Sequence, residues 1–523
     1  MRRIGIDVGG TNTDAVLIEE GKVVRAVKAP TSEDVTTGIL DSLTSLGSTG
    51  VLKGTDGKPK RIDGVMIGTT HFINAVVQRR QLTKVAALRL GMPASASLPP
   101  FCDWPEDLAA LVRGGVWMVE GGHEYDGRPF MPLDEAAIAR AAQEMKAAGL
   151  RAVGISAIFS PLDPGHERRA AELVAAVIPD AAITCSSDLG RIGLLERENA
   201  GLLNAALADL AGETIAAFEK AIRDSGIAAP LFITQNDGTV AEAGQARRLP
   251  VYSFASGATN SMRGAAYLSG LADAMVIDVG GTTTDVGQLK HGFPREANSV
   301  VKVGGVRTLF RMPDLLSIGL GGGSHVVLDP LKVGPVSVGY RLLKEGVAFG
   351  GKQLTTTDIA IATDVLKLGD KKKVAHLDAA TCRKVFAEAA RMAEEAIDRM
   401  KTEAGDVPLI AVGGGAFLIP EKLPGVSRVV HVEHGDCANA VGAAIAQVSG
   451  ECDQIFKDLS RGEAISAAQG IANDRAVAAG AARATLTTIE SEDMPLAYLP
   501  GNSVRVRVRV VGDVAATWPS SSR

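Results

Sequence analysis

Residues 7 to 14 read Asp7-Val8-Gly9-Gly10-Thr11-Asn12-Thr13-Asp14, and the pattern returns with one residue changed as Asp278-Val279-Gly280-Gly281-Thr282-Thr283-Thr284-Asp285. Each copy lies between two short apolar runs, which predicts a β-hairpin with a glycine turn at its tip. Paired glycines let main-chain N–H groups approach an anion, and threonine hydroxyls add donors, so each tip suits phosphate oxygens. Asp7 and Asp278 are placed to hold a hydrated Mg²⁺ against those oxygens. One Gly-Gly-Thr string could serve only as a turn, whereas the repeat of both the aspartate and the threonine positions favours phosphate binding.

Composition limits the class of protein. The chain has 523 residues, of which 46% are hydrophobic and 22% charged, which indicates a soluble globular protein of roughly two to four units. A net charge of -5 gives no indication of nucleic-acid binding. The strict alternation from Val504 to Val510 predicts a half-exposed strand, and we expect its arginines, Arg505, Arg507 and Arg509, to face solvent.

The cysteines and the N-terminal residues indicate the cellular compartment. Five cysteines are scattered along the chain without a Cys-x-x-Cys motif, so neither a disulfide framework nor an iron–sulfur or zinc site is predicted. Arg2 and Arg3 run straight into the first strand, which leaves no room for a signal peptide, and no apolar run approaches the ~20 residues that cross a bilayer. We therefore expect a cytoplasmic protein without a membrane partner.

Three further motifs are rich in glycine or threonine, and the first two follow predicted strands. Gly68-Thr69-Thr70 begins a helix, where two hydroxyls suit an anion or a carbonyl oxygen or simply cap the helix. Gly413-Gly414-Gly415 ends a buried strand, where an adenine ring could lie on bare main chain, or the glycines could only make a left-handed turn. The loop from Ser317 to Ser324 is so rich in glycine that something is expected to approach its backbone.

The remaining pattern is mostly alternating helices and strands. From Leu133 to Cys185 this alternation predicts crossover units and a largely parallel or mixed sheet. We expect residues 91–132 to be irregular, residues 251–254 to form a strand, and residues 437–448 to form a buried helix. A helix N-terminus is predicted at Ser32-Glu33-Asp34.

Two phosphate hairpins followed by a strand and Gly-Gly-Gly resemble the actin, hexokinase and Hsp70 type of ATPase. The resemblance implies an α/β protein with two actin-like (ribonuclease H-like) domains around a nucleotide cleft and a small C-terminal α+β extension. The expected division is residues 1–190 with the first phosphate loop, 191–450 with the second phosphate loop and the adenosine loop, and 451–523 as the extension.

A narrower resemblance, to the hydantoinase A / 5-oxoprolinase family, covers residues 1 to about 450. It rests on the first hairpin and on these motifs: Gly68-Thr69-Thr70, Asn74-Ala75, Asn236-Asp237-Gly238, Ser256-Gly257, Ser317 to Ser324, Val333-Gly334-Pro335, Thr356-Thr357-Asp358 and Leu423-Pro424-Gly425-Val426. The chain departs from typical members in being shorter. It also has Val336-Ser337-Val338-Gly339-Tyr340-Arg341 where longer members carry Asp-Pro-Gly-Pro-Ala-Cys-Tyr.

The resemblance implies an ATP- and Mg²⁺-dependent hydrolase, or its ATP-using subunit, that phosphorylates the carbonyl of a cyclic amide such as a hydantoin, 5-oxoproline or a lactam. It further implies an oligomer, possible action with a hydantoinase B-like companion subunit, and no nucleic-acid partner. The implied catalytic residues are Asp7, Asp278, Thr69 and Thr70, with Asp7 and Asp278 also as the metal ligands; His71 and Asn74 are weaker candidates for the substrate side. The implied nucleotide-binding residues are Gly9, Gly10, Thr11, Asn12, Thr13, Gly280, Gly281, Thr282, Thr283, Thr284, Gly413, Gly414 and Gly415.

Two other functions fit the same fold. A small-molecule kinase would release a stable phosphoester, and an ATP-switched chaperone or regulator would bind a client without small-molecule turnover. A repressor of this superfamily would need a DNA-binding helix-turn-helix before the first hairpin, and only six residues precede Asp7.

Overall fold

The computed structural model describes residues 1–9, 12–30, 35–53, 59–189, 192–297, 300–496 and 502–515. The predicted helix cap at residues 32–34 lies outside these residues. The strands are β1 Arg2–Val8, β2 Asn12–Glu19, β3 Lys22–Pro30, β4 Gly64–Thr69, β5 Val85–Met92, β6 Arg113–Glu120, β7 Ala152–Ala157, β8 Ala182–Cys185, β9 Leu231–Thr234, β10 Thr239–Glu242, β11 Ala274–Val279, β12 Thr284–Lys290, β13 Phe293–Pro294, β14 Val301–Val303, β15 Val306–Thr308, β16 Leu315–Ile318, β17 Ser324–Leu328, β18 Leu331–Ser337, β19 Val407–Val412, β20 Val426–His431, β21 Gln447–Phe456, β22 Thr487–Pro495 and β23 Val504–Gly512.

The helices alternate with these strands. They are α1 Val35–Ser48, α2 His71–Gln78, α3 Glu106–Val112, α4 Glu135–Ala147, α5 Gly165–Val177, α6 Leu194–Ala206, α7 Ala208–Asp224, α8 Ala243–Arg248, α9 Ser256–Ser269, α10 Leu342–Glu345, α11 Thr356–Ala362, α12 Ala379–Met400, α13 Ala438–Ile445 and α14 Arg461–Ala478.

The first lobe is built on a mixed sheet with the strand order β22-β23-β21-β10-β9-β4-β1-β2-β3. Every residue of β1 and β4 is buried, because helices cover both faces of the sheet at these central strands. On one face, Ile4 and Ile6 pack with Ile39 and Leu43 of α1 and with Phe218 of α7.

The second lobe is built on a sheet with the order β13-β12-β11-β19-β20, to which β16 adds by pairing with β12. Helix α12 covers one face, where Val385, Ala389 and Ala393 pack against Met275 and Ile277 of β11. Helix α9 covers the other face through Met262 and Ala265. Both lobes therefore have the α/β construction that the sequence predicts.

Helices α9 and α13 cross between the two sheets. A Cβ atom on Gly442 of α13 would lie 1.8 Å from the backbone oxygen of Asn260 in α9, and one on Gly264 of α9 would lie 2.0 Å from the oxygen of Ala438. Helix α13 also contacts β1, since a Cβ on Gly5 would lie 2.0 Å from the oxygen of Ala440. Glycine at these positions allows backbone-to-backbone contact, and the two helices tie the lobes together.

A third sheet, with the order β6-β5-β7-β8, lies between β4 and β9 in the chain and is entirely parallel. The prediction that residues 91–132 are irregular is wrong, because α3 and β6 lie in this range. The predicted strand at residues 251–254 is also wrong: Pro250–Ser253 is a 3₁₀ helix. Pro250 lacks a backbone N–H and favours the first turn of a helix, which outweighs the β-propensity of Val251 and Tyr252.

The C-terminal residues extend the first sheet. Strands β21, β22 and β23 form one end of that sheet, and α14 packs on them through Ala464, Ala468 and Ala472. The first sheet thus takes strands from all three predicted segments, and the division of the chain at residues 190 and 450 stays a prediction.

The prediction that the β23 arginines face solvent is wrong. Arg507 forms ion pairs of 2.9 Å with both Glu296 and Glu490, and Arg509 approaches Glu296 at 2.6 Å. Arg505 pairs with Asp453 at 2.6 Å. The alternation predicts that these side chains share a face, but their acidic partners, Asp453, Glu296 and Glu490, come from other parts of the chain.

Candidate functional site

The two repeated motifs form hairpins with the same register. Asp7 lies opposite Asp14 in the first hairpin, and Asp278 lies opposite Asp285 in the second. The turns close alike, with Gly9 N–H donating to Asn12 O at 3.1 Å and Gly280 N–H donating to Thr283 O at 2.9 Å. Because directly opposed residues point to the same face of a hairpin, each hairpin sets two carboxylates side by side. Gly10 and Thr11, predicted to bind phosphate, lie outside the described residues.

The carboxyl groups of the two hairpins influence each other. Burial raises the pKa of Asp7 to about 7, and the charges of Asp14 and Asp278 add to this effect. Burial raises the pKa of Asp278 to about 6, again with a contribution from its neighbour Asp285. Lys28 opposes the shift at both Asp7 and Asp278. The structure thus brings the two predicted aspartates into one electrostatic environment.

Lys28 supplies a positive charge to this environment. It lies opposite Asp14 in the β2–β3 pairing, with Nζ 3.0 Å from Asp14 Oδ2, and it donates to the backbone oxygen of Asp436 at 2.7 Å. Although burial opposes the charged form, Asp14 and Asp436 raise the pKa of Lys28. In the second hairpin Ser317 of β16 takes the corresponding place and donates its hydroxyl to Asp285.

The Gly68-Thr69-Thr70 motif lies beside the first hairpin, because β4 pairs in parallel with β1 and sets Gly68 next to Asp7. Thr69 is buried; its hydroxyl accepts from the His71 N–H at 3.1 Å and its backbone oxygen accepts from Ser256 at 3.2 Å. The Thr70 hydroxyl accepts from Asn74 Nδ2 at 3.2 Å and does not cap α2. Thr70 is therefore the more accessible of the two hydroxyls, whereas Thr69 shapes the turn.

The Gly413-Gly414-Gly415 motif has the equivalent place in the second lobe, since β19 pairs in parallel with β11 and sets Val412 next to Asp278. Gly413 has φ +87°, and a Cβ there would lie 2.3 Å from Asp278 Oδ1, so glycine is required. A Cβ on Gly414 would have no atom within 4 Å, which leaves bare main chain beside open space. Gly415 N–H donates to Val279 O at 2.7 Å and fixes the loop against the hairpin.

The glycine loop from Ser317 to Ser324 packs against the second hairpin tip. Gly322 N–H donates to Gly280 O at 3.0 Å, and Gly323 N–H donates to Gly281 O at 2.7 Å. On the other side of the loop, the Thr356 hydroxyl donates to Gly321 O at 2.6 Å. The glycines predicted that another group approaches the backbone of this loop. That group is the backbone of the second hairpin tip.

Two of the predicted phosphate-binding side chains do not lie at the tips. Thr13 is fully buried, and its hydroxyl would be 2.8 Å from a Cβ on Gly38 of α1. Thr284 is also fully buried and donates to Leu320 O at 2.7 Å. By contrast, Asn12, Thr282 and Thr283 are exposed at the tips. His71 is half-buried beside the first hairpin, and burial lowers its pKa.

Sequence reasoning missed several residues of this site. Counting the register of the β2–β3 pair back from its turn would have placed Val27 opposite Asp14, because the register shift between Leu17 and Ile18 that brings Lys28 there leaves no signal in the sequence. Asn439, which donates to Asp7 Oδ2 at 3.3 Å, and Asn260, which lies beside Gly68, come from α13 and α9 and carried no motif signal.

The residues fit a nucleotide and Mg²⁺. Asp14 Oδ1 and Asn260 Oδ1 are buried without a hydrogen-bond partner in the described structure, and such acceptors suit a hydrated cation. No cluster of three or more His, Cys, Asp or Glu side chains arranged to hold a metal occurs among the described residues. Mg²⁺ commonly uses one or two carboxylates together with substrate phosphates and water, so Asp7 and Asp278 would suffice.

None of the helices in the described part of the chain combines the length and apolar character needed to cross a membrane. A cavity of about 770 Å³ lies at the end of β12 away from the hairpin tip, and none of the predicted site residues lines it.

Comparison with known proteins identifies two family regions. Residues 3–178 match the hydantoinase/oxoprolinase N-terminal region, and residues 197–402 match the hydantoinase/oxoprolinase region. The chain is 29% identical over 403 residues to caprolactamase subunit alpha of Pseudomonas jessenii, covering 70% of this chain and 55% of that protein. It is 25% identical over 397 residues to the acetophenone carboxylase gamma subunit of Aromatoleum aromaticum, covering 68% of this chain and 52% of that protein. The chain therefore spans about half the length of these curated relatives.

Solved structures share the fold. The ATP-dependent caprolactamase of Pseudomonas jessenii superimposes with a TM-score of 0.76 at 20% identity, covering 99% of this chain and 88% of that chain. A nucleotide-free acetone carboxylase gives a TM-score of 0.68 at 18% identity, covering 98% of this chain and 88% of that chain. The two family regions together cover more than half of the sequence, and the chain belongs to the hydantoinase/oxoprolinase family.

Proposed function

We propose that this chain is an ATP-dependent hydrolase, or the ATP-using subunit of one, that activates the carbonyl of a cyclic amide such as a hydantoin, 5-oxoproline or a lactam. The proposal rests mainly on one observation: two hairpins of the same register, one in each lobe, set Asp7 opposite Asp14 and Asp278 opposite Asp285. Membership of the hydantoinase/oxoprolinase family and similarity to a caprolactamase subunit support the class of substrate.

The chemistry requires activation because an amide carbonyl is a poor electrophile: its nitrogen donates electrons into it. Phosphorylation of the carbonyl oxygen turns that oxygen into a leaving group, and water can then attack the carbon. ATP would supply the phosphoryl group, and Mg²⁺ would neutralise its charge. The chain would contribute alignment and fixed positive charge, through the N–H groups of the hairpin tips and the ammonium of Lys28.

The proposed roles follow from position. Asp7 and Asp278 would hold Mg²⁺ or a water molecule, and Thr70 would face the substrate. Thr69 would support the turn that presents Thr70. Gly9, Asn12, Gly280, Gly281, Thr282 and Thr283 would contact phosphates, while Thr13 and Thr284 would support the tips from behind. Gly413, Gly414 and Gly415 would lie against the adenosine.

The relatives named above are described as subunits, which supports action with a companion subunit. We therefore propose that ring opening needs a second, hydantoinase B-like chain. This chain alone would still bind ATP, since it contains every residue of the proposed nucleotide site.

A turnover screen tests the proposed function. The chain is incubated with ATP, Mg²⁺ and hydantoin, 5-oxoproline or caprolactam, with and without the companion chain, and phosphate and ring-opened product are measured. A ketone with bicarbonate is included because one relative is a carboxylase subunit. Phosphate release matched by ring opening is the expected result. Accumulation of a stable phosphoester would indicate a kinase instead, and no substrate-dependent turnover in any mixture would contradict the proposal.

A further inference from the structure

Helix α13 brings one polar side chain to the candidate site. Its eight residues, Ala438–Ile445, are Ala, Val, Gly and Ile apart from Asn439. Asn439 is half-buried in the first turn of the helix, and its Nδ2 donates to Asp7 Oδ2 at 3.3 Å. Asparagine is a weaker helix former than alanine, so helix stability does not explain its presence among alanines. The structure places this side chain against Asp7, which is a proposed metal ligand.

An uncharged donor suits a carboxylate that must also bind a cation. A carboxylate has about four acceptor positions, and a single N–H uses one of them. Because the amide carries no charge, it can orient Asp7 without competing with Mg²⁺. An ammonium group would compete, but the nearby Lys28 pairs with Asp14 Oδ2 at 3.0 Å. The Asp7 carboxyl is therefore held by Asn439 with acceptor positions left for a cation.

The neighbouring strand supports the other oxygen of the Asp7 carboxyl. Strand β4 pairs with β1 and places Gly68 beside Asp7. A Cβ on Gly68 would lie 3.0 Å from Asp7 Oδ1 and 2.5 Å from Nδ2 of Asn260 in α9. The carboxyl group thus lies against β4 at one oxygen and receives the Asn439 amide at the other. Metal ligands need this kind of support, because neighbouring groups fix their orientation.

The residues just before α13 determine where Asn439 lies. The Gly413 N–H of the second lobe donates to Gly435 O at 2.9 Å. Lys28 of the first lobe donates to Asp436 O at 2.7 Å. This short segment is therefore attached to both lobes. A change in the separation of the lobes would move Asn439 relative to Asp7.

We infer that Asn439 is a positioning residue, which orients the Asp7 carboxylate towards Mg²⁺ bound with ATP. The inference rests on the nucleotide site of the proposed function but not on its cyclic-amide substrate. Asn439 acts through Asp7 and touches neither the nucleotide nor the substrate. Loss of a group that orients a metal ligand typically weakens metal binding roughly 10- to 100-fold, and we expect a loss in this range for Asn439.

The test measures ATP binding to the purified 523-residue chain by calorimetry, once with Mg²⁺ and once with EDTA. We expect Asn439→Ala to weaken binding roughly tenfold or more with Mg²⁺ and to change binding in EDTA by less than about twofold. Unchanged binding in EDTA would also show that the variant is folded. The control is Asn473→Ala, which removes another half-buried asparagine from a helix, α14. The control should bind as the wild type does in both conditions.

A double-mutant cycle tests whether Asn439 acts through Asp7. Asp7→Asn and the double variant Asp7→Asn/Asn439→Ala are measured with Mg²⁺ in the same way. Two residues that act through one contact give non-additive effects. The double variant should therefore bind ATP no more weakly than Asp7→Asn alone.

The outcomes separate this inference from the proposed function. Wild-type affinity of Asn439→Ala with Mg²⁺ would overturn the inference. An equal loss with and without Mg²⁺ would indicate a purely structural role, and additive losses in the double variant would indicate an effect independent of Asp7; either result would also overturn it. ATP binding as expected, but without ring opening of any cyclic amide, would contradict the proposed function and support the inference. Absence of ATP binding by the wild type would contradict both.

Discussion

At the level of single residues, the candidate site places like charges together and shields them from water. Asp7 is 7% exposed and lies opposite Asp14, and Asp278 lies opposite Asp285. Both arrangements raise the pKa of a carboxyl group, which costs stability in the unliganded protein. A bound cation would remove that cost, so the strain is consistent with a binding role.

The first prediction concerns Asp278. We expect Asp278→Asn to abolish ATP turnover while the unfolding temperature stays equal or rises, because the amide removes repulsion from Asp285. Turnover and thermal unfolding of the same preparation provide the check. Full turnover in the variant would show that Asp278 has no role in catalysis.

A second prediction concerns pH. Burial raises the pKa of Asp7 from 3.8 to about 7, so the folded state holds this proton more tightly than the unfolded chain. The contribution of Asp7 to the free energy of unfolding is therefore most favourable below the unfolded pKa of 3.8, and it is lost as the pH rises through about 7. We expect the free energy of unfolding of the wild type, relative to Asp7→Asn, to fall between about pH 4 and about pH 7. Urea unfolding across this range measures the difference, and a difference independent of pH would contradict the assignment.

At this level the sequence predicted the motif residues better than their neighbours. The repeat predicted Asp7, Asp278 and the hairpin tips because their spacing is local. It could not separate Thr13 and Thr284, which point into the lobes, from Thr282 and Thr283, which are exposed, since the direction of each side chain depends on strand register and on packing against α1 and Leu320. Asn439 could not be predicted because a crossing helix brings it to Asp7.

At the level of elements, the crossing of α9 and α13 positions the site. Asn439 of α13 reaches Asp7 in the first hairpin, and Asn260 of α9 reaches Gly68 in the neighbouring strand β4. The two helices approach closely only because Gly264 and Gly442 lack side chains. The predicted buried helix at residues 437–448 corresponds to α13, Ala438–Ile445. The sequence could not predict that α13 packs against α9, because small residues indicate close packing but not which element packs against them.

The third prediction tests this crossing. In Gly442→Ala the new Cβ would lie 1.8 Å from the Asn260 oxygen, so the helices must separate. We expect a loss of roughly 2 kcal/mol or more in the free energy of unfolding, together with weaker ATP binding. Gly470→Ala in α14 is the matched control, because nothing lies within 4 Å of its Cβ position, and it should gain roughly 0.5–1 kcal/mol. Equal stability of the two variants would count against the crossing.

At the level of the whole molecule, a partly buried cluster of charges joins the lobes at a distance from the hairpin tips. Glu296, which follows β13, pairs with Arg507 and Arg509 of β23. Arg311, from the segment before β16, pairs with Glu451 of β21 and Glu490 of β22. Although burial opposes it, Arg311, Arg509 and Arg507 hold the pKa of Glu296 at about 2. The C-terminal strands therefore connect the first sheet to the second lobe.

The fourth prediction removes one charge from this cluster. Glu296→Gln should lower the free energy of unfolding at neutral pH by roughly 1–3 kcal/mol, because Arg507 and Arg509 lose a charged, partly buried partner. A pKa depressed from 4.5 to about 2 stabilises the protein above the unfolded value, so the loss should shrink as pH falls from about 4.5 towards about 2. The exposed Glu421 supplies the control Glu421→Gln, which should leave stability unchanged. A neutral result for Glu296→Gln would show that the cluster does not hold the lobes together.

The α/β class could be predicted from the ordered motifs, since each motif marks a local turn between elements of known type. The edge of the first sheet formed by β21–β23 could not be predicted, because β21 pairs with β10, which lies about 200 residues earlier in the chain. The arginines of β23 illustrate the limit: the period-2 pattern predicts that they share a face but not that Glu296 pairs with Arg507 and Arg509.

The central claim is that both hairpins face one nucleotide. It is tested most directly by a crystal structure of the chain with a non-hydrolysable ATP analogue and Mg²⁺. We predict phosphate contacts from Gly9 and Asn12 on one side and from Gly281 and Thr282 on the other, with the adenosine against Gly414. A nucleotide bound to one hairpin alone, or elsewhere on the molecule, would contradict the account.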